Sequence, residues 1–193
     1  MIEYEKKIPL TKEEFEILCK PSYKNEKVCY QTNFYYDTEN FDMNEKKITC
    51  RIREKKGEYT ATIKEHNLGG EHSSIETSQK VKNRLDDSLF VEKGLSFQGS
   101  LTTERIYIVN DCDLKVSIDK NNYLGYTDYE IEIEYSPNEY VFAQKHIAYY
   151  EYLFCVVYKI TKLRDLQKRI KSAESKSERF FKRLKKISLQ KSR

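Results

Sequence analysis

Alternation with a period of two recurs eight times along this chain, in IEYEKKI, CYQTNFYYDT, KITCRIREK, EYTATIKEH, HSSIETSQK, RIYIVN, LKVSIDK and YEIEIEY. Successive side chains of a strand point to opposite faces, so a chain patterned this way is mainly β. The connections at Asp42 to Lys46, Asn67 to Gly70 and Asn121 to Gly125 are short and turn-like, which favours antiparallel neighbours. Each run also has a polar or charged face. Arg51 and Arg53 oppose Ile52, Thr62 and Lys64 oppose Ala61 and Ile63, and Lys115, Ser117 and Asp119 oppose Val116 and Ile118. Glu130, Glu132 and Glu134 oppose Ile131 and Ile133, and Glu3, Glu5 and Lys7 share one face of the opening run. Such faces can simply meet water, as in any half-exposed sheet. Here they are sorted by sign: the first and the Glu130 strands are acidic, whereas the Arg51, Lys64, Arg105 and Lys115 strands supply cations. A closed eight-stranded antiparallel barrel with its apolar faces outward under helices would bring the charged faces together inside. Crowded carboxylates there call for a hard divalent cation such as Mg²⁺ or Mn²⁺, and the opposing cations suit phosphate oxygens. A metal-bound polyphosphate meets both demands.

Helices are expected at three places. Thr11-Lys12-Glu13-Glu14 and Ser175-Lys176-Ser177-Glu178 have capping-box form, and Ser136-Pro137 sets proline at a first helical position. The second helix is expected to run through Val141, Phe142, Ile147, Ala148, Tyr149 and Tyr152 with an apolar face that a sheet covers, and residues 82–93 admit another short one. Tyr35, Tyr36 and Tyr59 read as packing, and Asp37 as a strand end. The chain is 193 residues long with 34% charged residues, yet 16 Tyr and 9 Phe argue for a folded core. Its net charge of +4 is uneven: residues 159–193 carry +11 and the first 158 residues −7. The five cysteines are scattered and read as free thiols; His66, His72 and His146 are too dispersed to suggest a transition-metal site. No apolar run reaches membrane-spanning length, the opening MIEYEKK lacks a signal-peptide core, and no glycine-rich phosphate loop follows a strand. The expectation is one cytoplasmic domain over residues 1–193, α+β but mainly β, with a basic helical segment at about 160–193.

The motifs Glu3-x-Glu5-x-Lys7, TCRIR, TATIK, Ser117-Ile118-Asp119 and YEIEIE, in this order, resemble the CYTH family, also called triphosphate tunnel metalloenzymes. The resemblance extends to Ser175-Lys176-Ser177-Glu178-Arg179-Phe180, similar to the family's last helix, and so covers nearly the whole chain. It implies an eight-stranded antiparallel tunnel, with helices outside, that binds triphosphate with a divalent metal. Glu3, Glu5, Asp119, Glu130 and Glu132 match metal-binding acids. Lys7, Arg51, Arg53, Lys64, Arg105 and Lys115 match phosphate-binding cations, to which Lys176 and Arg179 are added; Lys7, Arg53 and Lys64 are the expected catalytic cations. The three-acid run leaves open whether Glu134 is a ligand.

The leading expectation is metal-dependent hydrolysis of inorganic tripolyphosphate or of an organic triphosphate, such as a nucleotide or thiamine triphosphate. A class IV-type adenylate cyclase, and a non-catalytic module gripping polyphosphate, nucleotide or RNA, stay open beside it. The expected partners are a triphosphate-bearing small molecule or inorganic polyphosphate. No membrane is expected, nucleic acid enters only as an RNA 5′ triphosphate, and a homodimer is left open.

Overall fold

Eight strands form the body: β1 (Ile2–Leu10), β2 (Cys29–Asp37), β3 (Ile48–Lys55), β4 (Glu58–His66), β5 (Ser73–Val81), β6 (Ser96–Asn110), β7 (Leu114–Tyr123) and β8 (Tyr126–Tyr135). The structure is a computed structural model that describes residues 2–22, 28–66 and 73–191, except the side chains of residues 2, 3, 20–22, 73 and 191. The strands close into a barrel in the ring order β1-β5-β4-β3-β2-β6-β7-β8, and every neighbouring pair is antiparallel. Two meanders, β2 to β5 and β6 to β8, are joined edge to edge. The seam is β1, which runs along β8 from Tyr4↔Tyr135 to Leu10↔Tyr129 and along β5 over Ile2–Tyr4.

Side-chain alternation then decides inside from outside, and the sequence expectation of apolar faces turned outward holds. Ile8, Ile106, Val116, Ile118, Ile131 and Ile133 are buried under Phe15 of α1 (Lys12–Ser22), Ala143 and Tyr150 of α4 (Tyr140–Tyr152) and Leu166 of α5 (Leu163–Lys171). Across the barrel Ile52, Ala61 and Cys50 pack with Tyr36, Leu95 and Phe90, the last on the one-turn α3 (Ser88–Val91). At one mouth Tyr35, Leu101 and Tyr123 enclose Phe180 and Phe181 of α6 (Lys176–Lys191). Gly99 makes that packing possible: its φ is +141°, and a Cβ there would lie 2.8 Å from Phe180 Cζ.

Both capping boxes form. Glu14 N–H donates to Thr11 Oγ1 at 3.2 Å while Glu14 Oε2 accepts from Thr11 N–H at 2.8 Å, and Ser175 and Glu178 repeat the exchange at 3.2 and 2.7 Å. Glu14 does more, accepting both arms of Arg169 at 2.7 and 2.8 Å and so tying α5 to α1. Ser136-Pro137 opens a 3₁₀ turn, Pro137–Glu139, that leads into α4.

Three details differ from expectation. On α4 the covered residues are Ala143 and Tyr150, with Ile147 packed beside them, whereas Val141, Phe142, Tyr149 and Tyr152 are exposed. Apolar residues surround that helix, so their number did not identify the buried stripe. The segment read as a turn at 42–46 holds a one-turn helix, α2 (Asp42–Glu45), capped from a distance by Asp37, whose carboxylate accepts from the backbone N–H groups of Thr38, Met43 and Asn44 at 2.8 to 2.9 Å. Helix α5 falls within the basic helical segment expected at about 160–193, as a helix separate from α6, and within 82–93 only Ser88–Val91 is helical. His72 lies outside the described residues, and His66 Nε2 lies 3.2 Å from Thr49 Oγ1. Among the described residues no helix is long and apolar enough to cross a membrane.

Candidate active site

The polar faces of the eight strands meet inside the barrel around a cavity of about 250 Å³. Among the described residues eight cations line it, Lys7, Arg51, Arg53, Lys55, Lys64, Arg105, Lys115 and Lys176, against four carboxylates, Glu5, Glu76, Glu132 and Glu134, a formal net of +4. A site of that charge, walled by protein, attracts a polyanion. At one end the cavity reaches Lys115, which is half-exposed and lies 3.7 Å from Glu134. Toward the other end α6 enters: Ser175, Lys176 and Ser177 line the cavity, Ser177 Oγ is 2.7 Å from Thr49 Oγ1, and Phe180 and Phe181 fill the mouth behind them.

The acids of β7 and β8 are saturated by cations. Lys176 Nζ lies 3.0 Å from Asp119, 2.5 Å from Glu130 and 3.0 Å from Glu132. Arg105 grips Asp119 with Nε at 2.8 Å and a terminal nitrogen at 2.6 Å, and also bonds Glu132. Arg179 donates to Glu130 at 2.8 Å and lies 2.9 Å from Asp128. On β1, Lys7 sits 2.5 Å from Glu5 and 3.5 Å from Glu132, and Lys64 is 3.9 Å from Glu5. Burial by itself would raise the carboxyl pKa values, but the cations prevail. Glu5 is pulled down to about 2 by Lys7 and Lys64, and Glu130 to about 2 by Arg179 and Lys176. Glu132, beside Lys176, Arg105 and Lys7, is held well below the usual carboxylate range. The same contacts overcome desolvation to push Lys7, Arg105, Lys176 and Arg179 upward.

The wall made by β2 and β3 is different. Arg53 makes no ion pair among the described residues; its Nε donates to Asn33 Oδ1 at 2.8 Å. Burial, with Arg51 and Arg105 nearby, pulls its pKa down to about 10, the signature of a cation short of counter-charge. Arg51 reaches Glu76 at 3.3 Å, yet its Nε is buried without a hydrogen-bond partner among the described residues. Lys55 donates to Tyr107 OH at 3.1 Å.

Of the residues expected from sequence, Glu5, Lys7, Arg51, Arg53, Lys64, Arg105, Lys115, Lys176 and Glu132 therefore line one cavity. Asp119, Glu130 and Arg179 lie behind Lys176, bonded to it or to each other, rather than on the cavity. The side chain of Glu3 lies outside the described residues. Sequence reading missed Gln31, Tyr35, Lys55, Glu76 and Tyr107 as lining residues, and Asn33 as the partner of Arg53. A signal for three of them was present: Gln31, Asn33 and Tyr35 alternate along CYQTNFYYD as a polar face.

The donor chemistry suits a hard cation, since the candidate ligands are all carboxylates. Their placement does not. Among the described residues no three acids are arranged to hold a metal ion, because an ammonium already stands between Asp119, Glu130 and Glu132.

Comparison with known proteins agrees with this architecture. The CYTH domain model matches residues 1–180. The protein named "Putative triphosphatase YjbK" from Bacillus subtilis (strain 168) is 33% identical over 69% of this chain and 77% of its own length. The crystal structure of a protein named as a putative adenylate cyclase from Bacillus halodurans superposes with a TM-score of 0.66 at 26% identity, covering 93% of this chain and 97% of that one. HpAC1 from Hippeastrum, whose structure is described as that of a putative adenylyl cyclase with a dominant triphosphatase activity, shares the fold at a TM-score of 0.56 and 19% identity over 75% of this chain and 84% of its own. By its family model, its closed eight-stranded barrel and its charged interior, this chain belongs to the CYTH domain family.

Proposed function

We propose that the tunnel binds a triphosphate and hydrolyses it. The observation that carries this reading is the excess of cations over carboxylates in an enclosed cavity, concentrated on the β2–β3 wall, where Arg53 lacks a counter-ion among the described residues. A neighbour of the same family, YjbK, bears the name of a triphosphatase, which fits the same chemistry. Arg51, Arg53, Lys64 and Lys7 would hold phosphate oxygens, with Arg105, Lys115 and Lys176 completing the cationic set on the cavity, while Arg179, behind them, bonds Glu130 and would reach the substrate only if that pair opened. In the reaction water forms a new bond to the terminal phosphorus, the bridging P–O bond breaks, and the departing diphosphate carries negative charge. Lys7, Arg53 and Lys64 would stabilise that charge as it develops, and phosphoryl transfer depends chiefly on positioning and electrostatics.

Metal dependence comes with the family; the ion, Mg²⁺ or Mn²⁺, and its ligands Glu3, Glu5, Asp119, Glu130 and Glu132 belong to the proposal. With Lys176 seated as it is, that ammonium has to leave Asp119, Glu130 and Glu132 before the three can share an ion. The substrates proposed are inorganic tripolyphosphate and organic triphosphates. An RNA 5′ triphosphate would have to enter past Lys115, since α6 fills the other mouth. Phosphate, diphosphate and cyclic AMP should be measured after incubation with tripolyphosphate, ATP and thiamine triphosphate in Mg²⁺ or Mn²⁺. Phosphate release is the expected result. Cyclic AMP with diphosphate from ATP would replace hydrolysis by cyclisation, and silence across all three would leave a binding module.

A further inference from the structure

Strand β2 contributes three uncharged groups to the barrel interior, and the family motifs do not include them. Gln31, Asn33 and Tyr35 lie on one face of the strand, all fully buried or nearly so, and Gln31 and Tyr35 line the cavity. Each stands directly across from a β3 cation, in the register Gln31↔Lys55, Asn33↔Arg53 and Tyr35↔Arg51. Each also has a polar atom with no hydrogen-bond partner among the described residues: Gln31 Nε2, Asn33 Nδ2 and Tyr35 OH. The Asn33 amide has a fixed sense, because Arg53 only donates and therefore faces Oδ1, leaving the NH₂ group turned elsewhere. Tyr35 OH stays a neutral donor: burial raises its pKa above the usual value, although Arg51, Arg53, Lys176 and Arg179 act to lower it.

Folded proteins rarely leave several buried donors unmatched in one place, and such a cluster needs a reason. Elsewhere in the barrel polar side chains pair with one another: Thr103 donates to Asn121 at 2.7 Å and Asn121 to Asp128 at 2.9 Å. Unmet donors facing a row of cations suit a ligand that is anionic and rich in acceptors. Building on the triphosphate reading, we propose that Gln31 and Tyr35 are neutral donors that, paired with the β3 cations, take phosphoryl oxygens and set the binding position of the phosphate chain. Asn33, which does not line the cavity, acts through Arg53 as a positioning residue. Uncharged donors add directional bonds without adding charge, so the row bears on where the anion sits rather than on how strongly its charge is attracted.

The test uses inorganic tripolyphosphate as probe, with the full chain, measured by calorimetry with and without Mn²⁺. Tyr35→Phe and Gln31→Leu remove the donors while keeping most of the side-chain volume. The expected result is an affinity loss of about three- to ten-fold for each variant, the effect of one net hydrogen bond. The thermal midpoint should hold or rise, because an unmatched buried donor has been removed. Unchanged affinity in both folded variants, with the wild type binding normally, would overturn the inference and leave the triphosphate reading standing. A lowered midpoint with unchanged affinity would assign the row a structural role, and would overturn it too. Should Tyr35→Phe unfold through its contact with Phe180, Gln31→Leu at the other end of the row decides. A wild type that binds no tripolyphosphate under either condition would instead overturn the triphosphate reading, and this inference with it.

Discussion

The two walls of the tunnel hold similar residues in opposite states. On β7 and β8, Asp119, Glu130 and Glu132 are each bonded to two or more of Lys176, Arg105, Arg179 and Lys7. On β2 and β3, Arg53 has an amide instead of a carboxylate, and donors of Gln31, Asn33, Tyr35 and Arg51 have no partner among the described residues. One wall is electrostatically complete without a ligand and the other is not. Completion comes from α6, whose first turn delivers Lys176 and Arg179 to the acids while Phe180 and Phe181 anchor it. The acidic wall is thus a docking site for the chain's own helix, and the basic wall is left for something from outside.

Lys176 gives this contrast its strongest test. Replacing it with Met leaves three buried carboxylates with one cation fewer, and breaking a buried pair in this way typically costs about 3–5 kcal/mol. Urea unfolding of Lys176→Met should show a loss of that order, and Mn²⁺ should restore part of it while binding the variant more tightly than the wild type. Equal Mn²⁺ affinity in both proteins would mean that ammonium and ion do not compete, and the acids would then be structural.

Arg53→Ala probes the incomplete wall, and the effect should fall on activity rather than stability. A cation acting mainly in the transition state is worth on the order of 10²-fold in rate. Stability should change little, because burial beside Arg51 and Arg105 already disfavours the charged form. The comparison between the walls breaks if tripolyphosphate turnover survives while the unfolding midpoint drops sharply.

The same contrast explains what the sequence disclosed. Alternating runs such as KITCRIREK and YEIEIEY state both the strands and their polar faces, because a period of two is a local property. Sorting by sign disclosed the barrel interior, since charges of both kinds on facing strands compensate each other only when brought together. Pairings set by tertiary structure were not legible. Nothing in Ser175-Lys176-Ser177-Glu178 says that Lys176 turns inward among three acids, although the capping box gave the start of its helix. Tyr35 looked like packing because its ring does pack on Phe180, at 4.8 Å between centroids, while its hydroxyl remains unmatched. Helix α5 was legible only as part of a basic helical segment: Leu163, Leu166 and Ile170 carry a helical spacing, but its end before α6 and its tie to Glu14 through Arg169 are set by tertiary contacts.

A gentler perturbation is pH, and it should act through the complete wall. Glu5 and Glu130 have folded-state pKa values of about 2 against an ordinary 4.5, so between these values the unfolded chain binds more protons than the native one. Stability then rises with pH across that interval: the contribution of these acids is fully present above about 4.5 and is lost as pH falls toward 2. Urea midpoints taken from pH 6 to pH 2 should fall mainly within that window, by roughly the steps expected for buried ion pairs. Glu130→Gln should flatten the curve there. A midpoint that is level across the window would mean that Arg179 and Lys176 gain no more from Glu130 in the folded chain than in the unfolded one, and the complete wall would lose its electrostatic account.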